Sequence, residues 1–112
     1  MRYSDERGEF QVEKVAVRNR RKASVRFRVE PWGETYELPR GATFQVTGRG
    51  PVGDGIEVRW NTDGVSVYAW PGAALEVRHR GVPVGPDTRE TAPRIPAGMR
   101  VSEWVAEVSG SA

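Results

Sequence analysis

Cysteine is absent from the 112 residues. That excludes a disulfide framework and any thiolate metal site, and it is compatible with a reducing compartment. There is one histidine, His79. A two-histidine metal centre is therefore excluded, and His79 sits between Arg78 and Arg80 as a strand-end residue. A Ser–His–Asp device would need Ser24, Ser66 or Ser102, and none lies in a Gly-x-Ser-x-Gly elbow. No Gly-x-x-x-x-Gly-Lys-Ser/Thr run follows Gly48-x-Gly50 or Gly53-x-Gly55, so no nucleotide loop is read. No Asp-x-Asp-x-Asp-Gly calcium loop is present either. The expectation is no catalytic residue, no metal and no cofactor. Long apolar runs are also missing. Met1 to Gly8 is polar and charged, so neither a signal peptide nor a membrane helix is read and the cytoplasm is the expected compartment. Lysine is scarce as well: 15 of the 17 basic residues are arginine, set against 15 acidic residues for a net charge of +2. So small a net charge, with both signs interspersed, argues against a dedicated polyanion binder.

What is present is turn chemistry and alternation. The length fits one domain. Thirteen glycines and eight prolines fit short strands joined by tight turns. Val25, Phe27 and Val29 alternate with Arg26, Arg28 and Glu30; Tyr36 and Leu38 with Thr35 and Glu37; Phe44 and Val46 with Gln45 and Thr47. Period-two alternation puts each apolar set on one face of a strand. Pro31 ends the first run, and Pro39-Arg40-Gly41 turns the chain into the third. Phe10 and Val12 differ in parity from Val15 and Val17, which predicts a bulge near Glu13-Lys14.

Further on, Gly48 to Gly55 reads as a glycine-rich loop. Ile56, Val58 and Trp60 then alternate with Glu57 and Arg59. Asn61-Thr62-Asp63-Gly64 closes a hairpin onto Val65, Val67 and Ala69, and Pro71-Gly72 turns into Leu75 and Val77. Gly41–Gly50 and Gly72–Gly81 echo each other, which predicts two corresponding strands, one in each of two packed sheets.

The organisation read from these signals is a mobile N-terminus (1–8), a β-domain (9–84), a proline-rich extended loop (85–98) and a C-terminal segment (99–112). In the last, Val101, Trp104, Val105 and Val108 form a helical stripe that Ser102 would cap. Val101 and Val105 also alternate with Glu103 and Glu107, which keeps a strand open. Gly110 to Ala112 reads as a frayed end. The fold class is all-β: a mainly antiparallel sandwich or partly open barrel of about six to eight strands with a short C-terminal helix. Val25, Phe27, Val29, Phe44, Val46, Ile56, Val58 and Trp60 are the predicted core.

Candidate binding residues are Trp32, Glu34, Tyr36, Tyr68 and Trp70. Tyr68 and Trp70 differ in parity from Val65 and Val67, which leaves two readings: an outward aromatic pair of the kind that marks interfaces, or a strand covered on both faces, by a second sheet on one side and the C-terminal segment on the other. Trp32 lies in the turn Glu30–Glu34 and is read as a clasp across the rim, with Glu30 or Glu34 paired to an arginine. Arg18, Arg20, Arg21, Lys22, Arg26 and Arg28 form one basic cluster. Phe27 faces away from Arg26 and Arg28, so the stacking platform of a nucleic-acid groove is missing.

The run Glu30-Pro31-Trp32-Gly33-Glu34-x-Tyr36-x-Leu38-Pro39-x-Gly41, with Trp70-Pro71-Gly72 after it, resembles a group of short uncharacterised bacterial proteins. These carry a Glu-Pro-Trp-Gly turn and a Leu-Pro-x-Gly hairpin. The match spans roughly Val15 to Val77. It implies a small β-domain and nothing about catalysis.

The leading functional expectation is a non-enzymatic module that contacts another protein, of the immunity-protein kind. The alternatives are a small-ligand or carbohydrate binder stacking on Trp32, Tyr36 and Trp70, and an enzyme built on Glu30 and Glu34. Oligomeric state is left open.

Overall fold

The computed structural model describes residues 1–5, 8–86, 89–93 and 98–108. Pro96 and the expected frayed end at Gly110–Ala112 lie outside them. The strands are β1 (Arg2–Asp5), β2 (Gly8–Arg18), β3 (Val25–Glu30), β4 (Glu34–Leu38), β5 (Thr43–Pro51), β6 (Glu57–Trp60), β7 (Gly64–Tyr68), β8 (Ala74–His79) and β9 (Val82–Pro83), followed by helix α1 (Val101–Val108). They form two sheets, ordered β1-β2-β5-β8-β9 and β4-β3-β7-β6. The chain is thus an all-β sandwich with one short helix, and among the described residues neither sheet closes on itself.

Alternation explains the core. Val25, Phe27 and Val29 of β3 face Phe44 and Val46 of β5, and all five are buried. Phe27 and Phe44 meet edge to face, with ring centroids 5.0 Å apart, an arrangement favoured by their quadrupoles. Val65, Val67, Leu75 and Val77 complete the layer. One pairing is parallel: β3 lies beside β7, with Phe27 opposite Val65 and Val29 opposite Val67. All the others are antiparallel.

Several expectations give way. There is no bulge at Glu13-Lys14, because β2 pairs with β5 in one unbroken register from Phe10↔Pro51 to Arg18↔Thr43. The parity change is real, and Phe10 stacks on Tyr3 away from the core. Gln11 and Glu13 take inward positions instead. They accept hydrogen bonds from the Gly53 and Ile56 amides, at 3.2 and 3.1 Å. The two echoing segments are neighbours in one sheet, with Val46 opposite Val77, rather than partners across the sandwich. Within the N-terminus expected to be mobile, Arg2–Asp5 form β1, an edge strand on β2. Gly48 and Gly50 belong to a strand, not a loop, and their missing side chains make room for other groups. A Cβ on Gly48 would lie 2.6 Å from the Trp70 ring, and one on Gly50 would lie 2.5 Å from Ala73.

Residues 101–108 are helical. Ser102 does not cap α1; its hydroxyl donates to Glu57 on β6 at 2.7 Å. Val101 and Ser102 are buried. No helix among the described residues is long and apolar enough to cross a membrane.

Candidate functional site

The four-stranded sheet has two edges, β4 and β6, and they are built differently. On β4, Glu34, Tyr36 and Leu38 pair with Val29, Phe27 and Val25. Directly opposed residues share a face, so Glu34 and Tyr36 point inward. An inward carboxylate needs a cation or donors. Arg89 supplies them from the proline-rich segment. Its Nη2 lies 2.7 Å and its Nε 2.9 Å from the two Glu34 oxygens. Nη1 donates to the Leu75 carbonyl at 3.1 Å, and the Arg89 side chain is only 1% exposed. Tyr36 donates its hydroxyl proton to Glu34 as well.

Burial pushes the Glu34 carboxyl up, but the Arg89 and Tyr36 hydrogen bonds and the guanidinium charge outweigh it. Glu34 therefore titrates below its ordinary value of 4.5. Burial and the Glu34 carboxylate together raise the Tyr36 phenol. The same segment is tied down elsewhere: the Val84 amide bonds Val77 O at 2.8 Å, the Ala92 amide bonds Ala73 O at 2.7 Å, and the Trp32 indole N–H bonds Glu90 O at 2.9 Å. Residues 82–86 and 89–92 thus act as a strap across the gap between the sheets.

The Glu30–Glu34 turn holds a cis Glu30–Pro31 bond. Trp32 and Tyr36 are partly buried and pack on the core. Glu34 finds its arginine 55 residues away in sequence, not on a neighbouring strand. Burial raises the Glu30 carboxyl, against the pull of Arg28 and the Gly33 amide. Glu30 has the parity opposite to Val29 and Glu34, so the two glutamates do not converge on one cleft.

Trp70 corrects the expected outward pair. It lies beyond the end of β7, where strand parity no longer applies. It is 2% exposed and donates its indole N–H to Pro51 O at 2.5 Å. Tyr68 does face the outer side of the sheet, opposite Glu57 and partly buried. Trp32, Glu34 and Tyr36 meet under the strap; Tyr68 and Trp70 join neither them nor each other.

The β6 edge reverses another expectation. Val58 and Trp60 pair with Val67 and Val65 and so point inward as their alternation implies. Yet they are 36% and 42% exposed, because no described strand lies beyond β6. Parity fixes the face; position in the sheet fixes the cover. Asn61 and Gly64 exchange both backbone bonds, at 2.8 and 3.4 Å. Bonded pairs alternate along an antiparallel ladder, so Val58 and Trp60 turn their N–H and C=O groups away from β7. Beside them stands part of the basic cluster. The Arg21 guanidinium lies 5.2 Å from the Trp60 ring centroid and donates to Thr62 O at 3.2 Å. Arg18, Arg20, Arg21 and Trp60 line an open hollow of about 290 Å³. Sequence reasoning placed these arginines but not their aromatic neighbour.

Among the described residues no group of three His, Cys, Asp or Glu stands where it could hold a metal ion. No protein-family model, no curated protein and no solved structure matches the chain.

Proposed function

We propose that the chain is a non-enzymatic binding module that docks another polypeptide along the edge of β6. The observation that carries this is Val58 and Trp60, large apolar side chains left exposed on a strand whose outer edge has no described neighbour. Unpaired strand edges accept an added strand through backbone bonds, while side-chain pockets give selectivity. Tryptophan and arginine are the residues most enriched at energetic centres of interfaces. Here Trp60 stands beside Arg18, Arg20 and Arg21, which favours a partner with carboxylates at that end. A ligand binder stacking on Trp32, Tyr36 and Trp70 has less support. The polar ends of all three already bond within the chain, and Trp70 is buried.

The test is a titration of the full chain with an extended peptide of alternating valine and acidic residues, followed by backbone amide shifts. Shifts centred on Val58, Trp60 and the Trp60 indole are expected. Shifts confined to Trp32, Glu34 and Tyr36 would place the site on the other edge and contradict the proposal.

A further inference from the structure

We infer that β6 pairs with β6 of a second copy of this chain, antiparallel about a two-fold axis, in the register that sets Val58 opposite Val58. This rests on the reading of the β6 edge as a protein-docking surface and names the partner. In any antiparallel pairing, outward-turned backbone groups must meet outward-turned groups. The outward groups of β6 belong to Val58 and Trp60. Three self-pairings therefore satisfy the backbone: Val58 against Val58, Val58 against Trp60, and Trp60 against Trp60.

Charge and turn geometry separate them. Setting Val58 against Trp60 puts Arg59 directly opposite Arg59, and like charges in that position are destabilising. Setting Trp60 against Trp60 runs the ladder into the Asn61–Gly64 turn and leaves Val58 facing Thr62. Setting Val58 against Val58 puts Glu57 of each copy opposite Arg59 of the other. Both of these side chains already lie on the outer face, ion-paired within the chain, with Arg59 56% and Glu57 21% exposed. The second copy would complete a closed ring of two carboxylates and two guanidinium groups.

The same register sets Trp60 opposite Ile56 of the second copy. The Ile56 N–H remains on Glu13. It also carries Asp54 of one copy toward the Thr62 end of the other, where Arg21 stands on Trp60. The two four-stranded sheets become one continuous sheet. An isologous contact of this kind uses one surface twice and closes at the dimer. With only four residues in β6 the interface is at the small end of the specific range, so association is weak and concentration-dependent.

The experiment is sedimentation of the full chain from micromolar to millimolar concentration, for wild type, Arg59→Glu, Glu57→Arg, their equimolar mixture and the double swap. Each is checked for folding by its thermal melt. Wild type is expected to rise from monomer to dimer and stop there. Each single variant opposes like charges and should associate at least tenfold more weakly. The mixture restores opposite charges at both crossings, so it should form a heterodimer, and the double swap should pair with itself. Val58→Pro is a further control. Its lost N–H points away from β7, so the fold is kept while self-association falls.

A wild-type dimer that the mixture fails to restore would overturn the register. A wild type that stays monomeric at millimolar concentration would overturn self-pairing, and the valine–acid peptide then separates two cases. Amide shifts at Val58 and Trp60 would leave the edge as a dock for a foreign strand. No shift with the peptide, or shifts only with an oligothymidylate, would remove the protein-docking reading as well.

Discussion

The β4 and β6 edges start from the same sequence device and end differently. Each carries an aromatic residue and a second side chain pointing inward at a rim the opposite sheet does not fully cover: Tyr36 and Glu34 on β4, Trp60 and Val58 on β6. On β4 the chain returns as a strap and buries Arg89 against Glu34. On β6 no described strand pairs with the outer edge, and Trp60 stays 42% exposed. An inward residue at an edge is covered only if another part of the chain is spent on it. Where none is, the rim is available to another molecule.

Substitution should cost most at the closed edge. Arg89→Met removes the cation from a carboxylate that the fold points inward. Breaking such a pair costs about 3 kcal/mol, seen as a lower midpoint in urea denaturation. A curve superimposable on wild type would mean the strap does not hold the edge. Trp32→Ala comes next. The side chain packs on the core and its indole N–H bonds Glu90 O, so truncation should cost about 2 kcal/mol. An unchanged midpoint would remove the clasp.

The folded-state Glu34 carboxyl titrates below its ordinary value of 4.5. A depressed carboxylate contributes stability that is complete above the unfolded value and is lost as pH falls through the folded one. Melting temperature should therefore fall on acidification below about pH 4.5, and Glu34→Gln should flatten that part of the profile. Parallel profiles for the two proteins would contradict the assignment. The smallest effect belongs to the open edge. Trp60→Ala should change stability by no more than about 0.5 kcal/mol, as for a surface substitution, while weakening association. A large loss of stability would show that Trp60 is a structural residue after all.

Much of the sandwich was legible because alternation is a local property. The faces of Val25, Phe27, Val29, Phe44 and Val46 follow from parity alone. Which strand lies at an edge does not. Trp60 reads as core from its own strand and is exposed because β7, its hairpin partner, turns its other side to β3, a strand far back in sequence. Trp70 fails for the converse reason. Past the end of β7 its direction is set by the space over Gly48 and Gly53, and those glycines read locally as turn residues.

Arg89 sits in a segment without periodicity, so nothing local marks it. A signal was available on β4, however. Glu34 shares parity with Tyr36 and Leu38, and a carboxylate on the core side of a strand calls for a buried donor somewhere in the chain.

The most direct test of the contrast between the two edges is residue-resolved amide hydrogen exchange of the full chain, at micromolar and at millimolar concentration. The Val58 and Trp60 amides should exchange quickly when dilute and become protected when concentrated, with the β4 amides unchanged. Protection at Val58 and Trp60 that does not depend on concentration, or a change that appears equally on β4, would contradict the assignment of β6 as the docking edge.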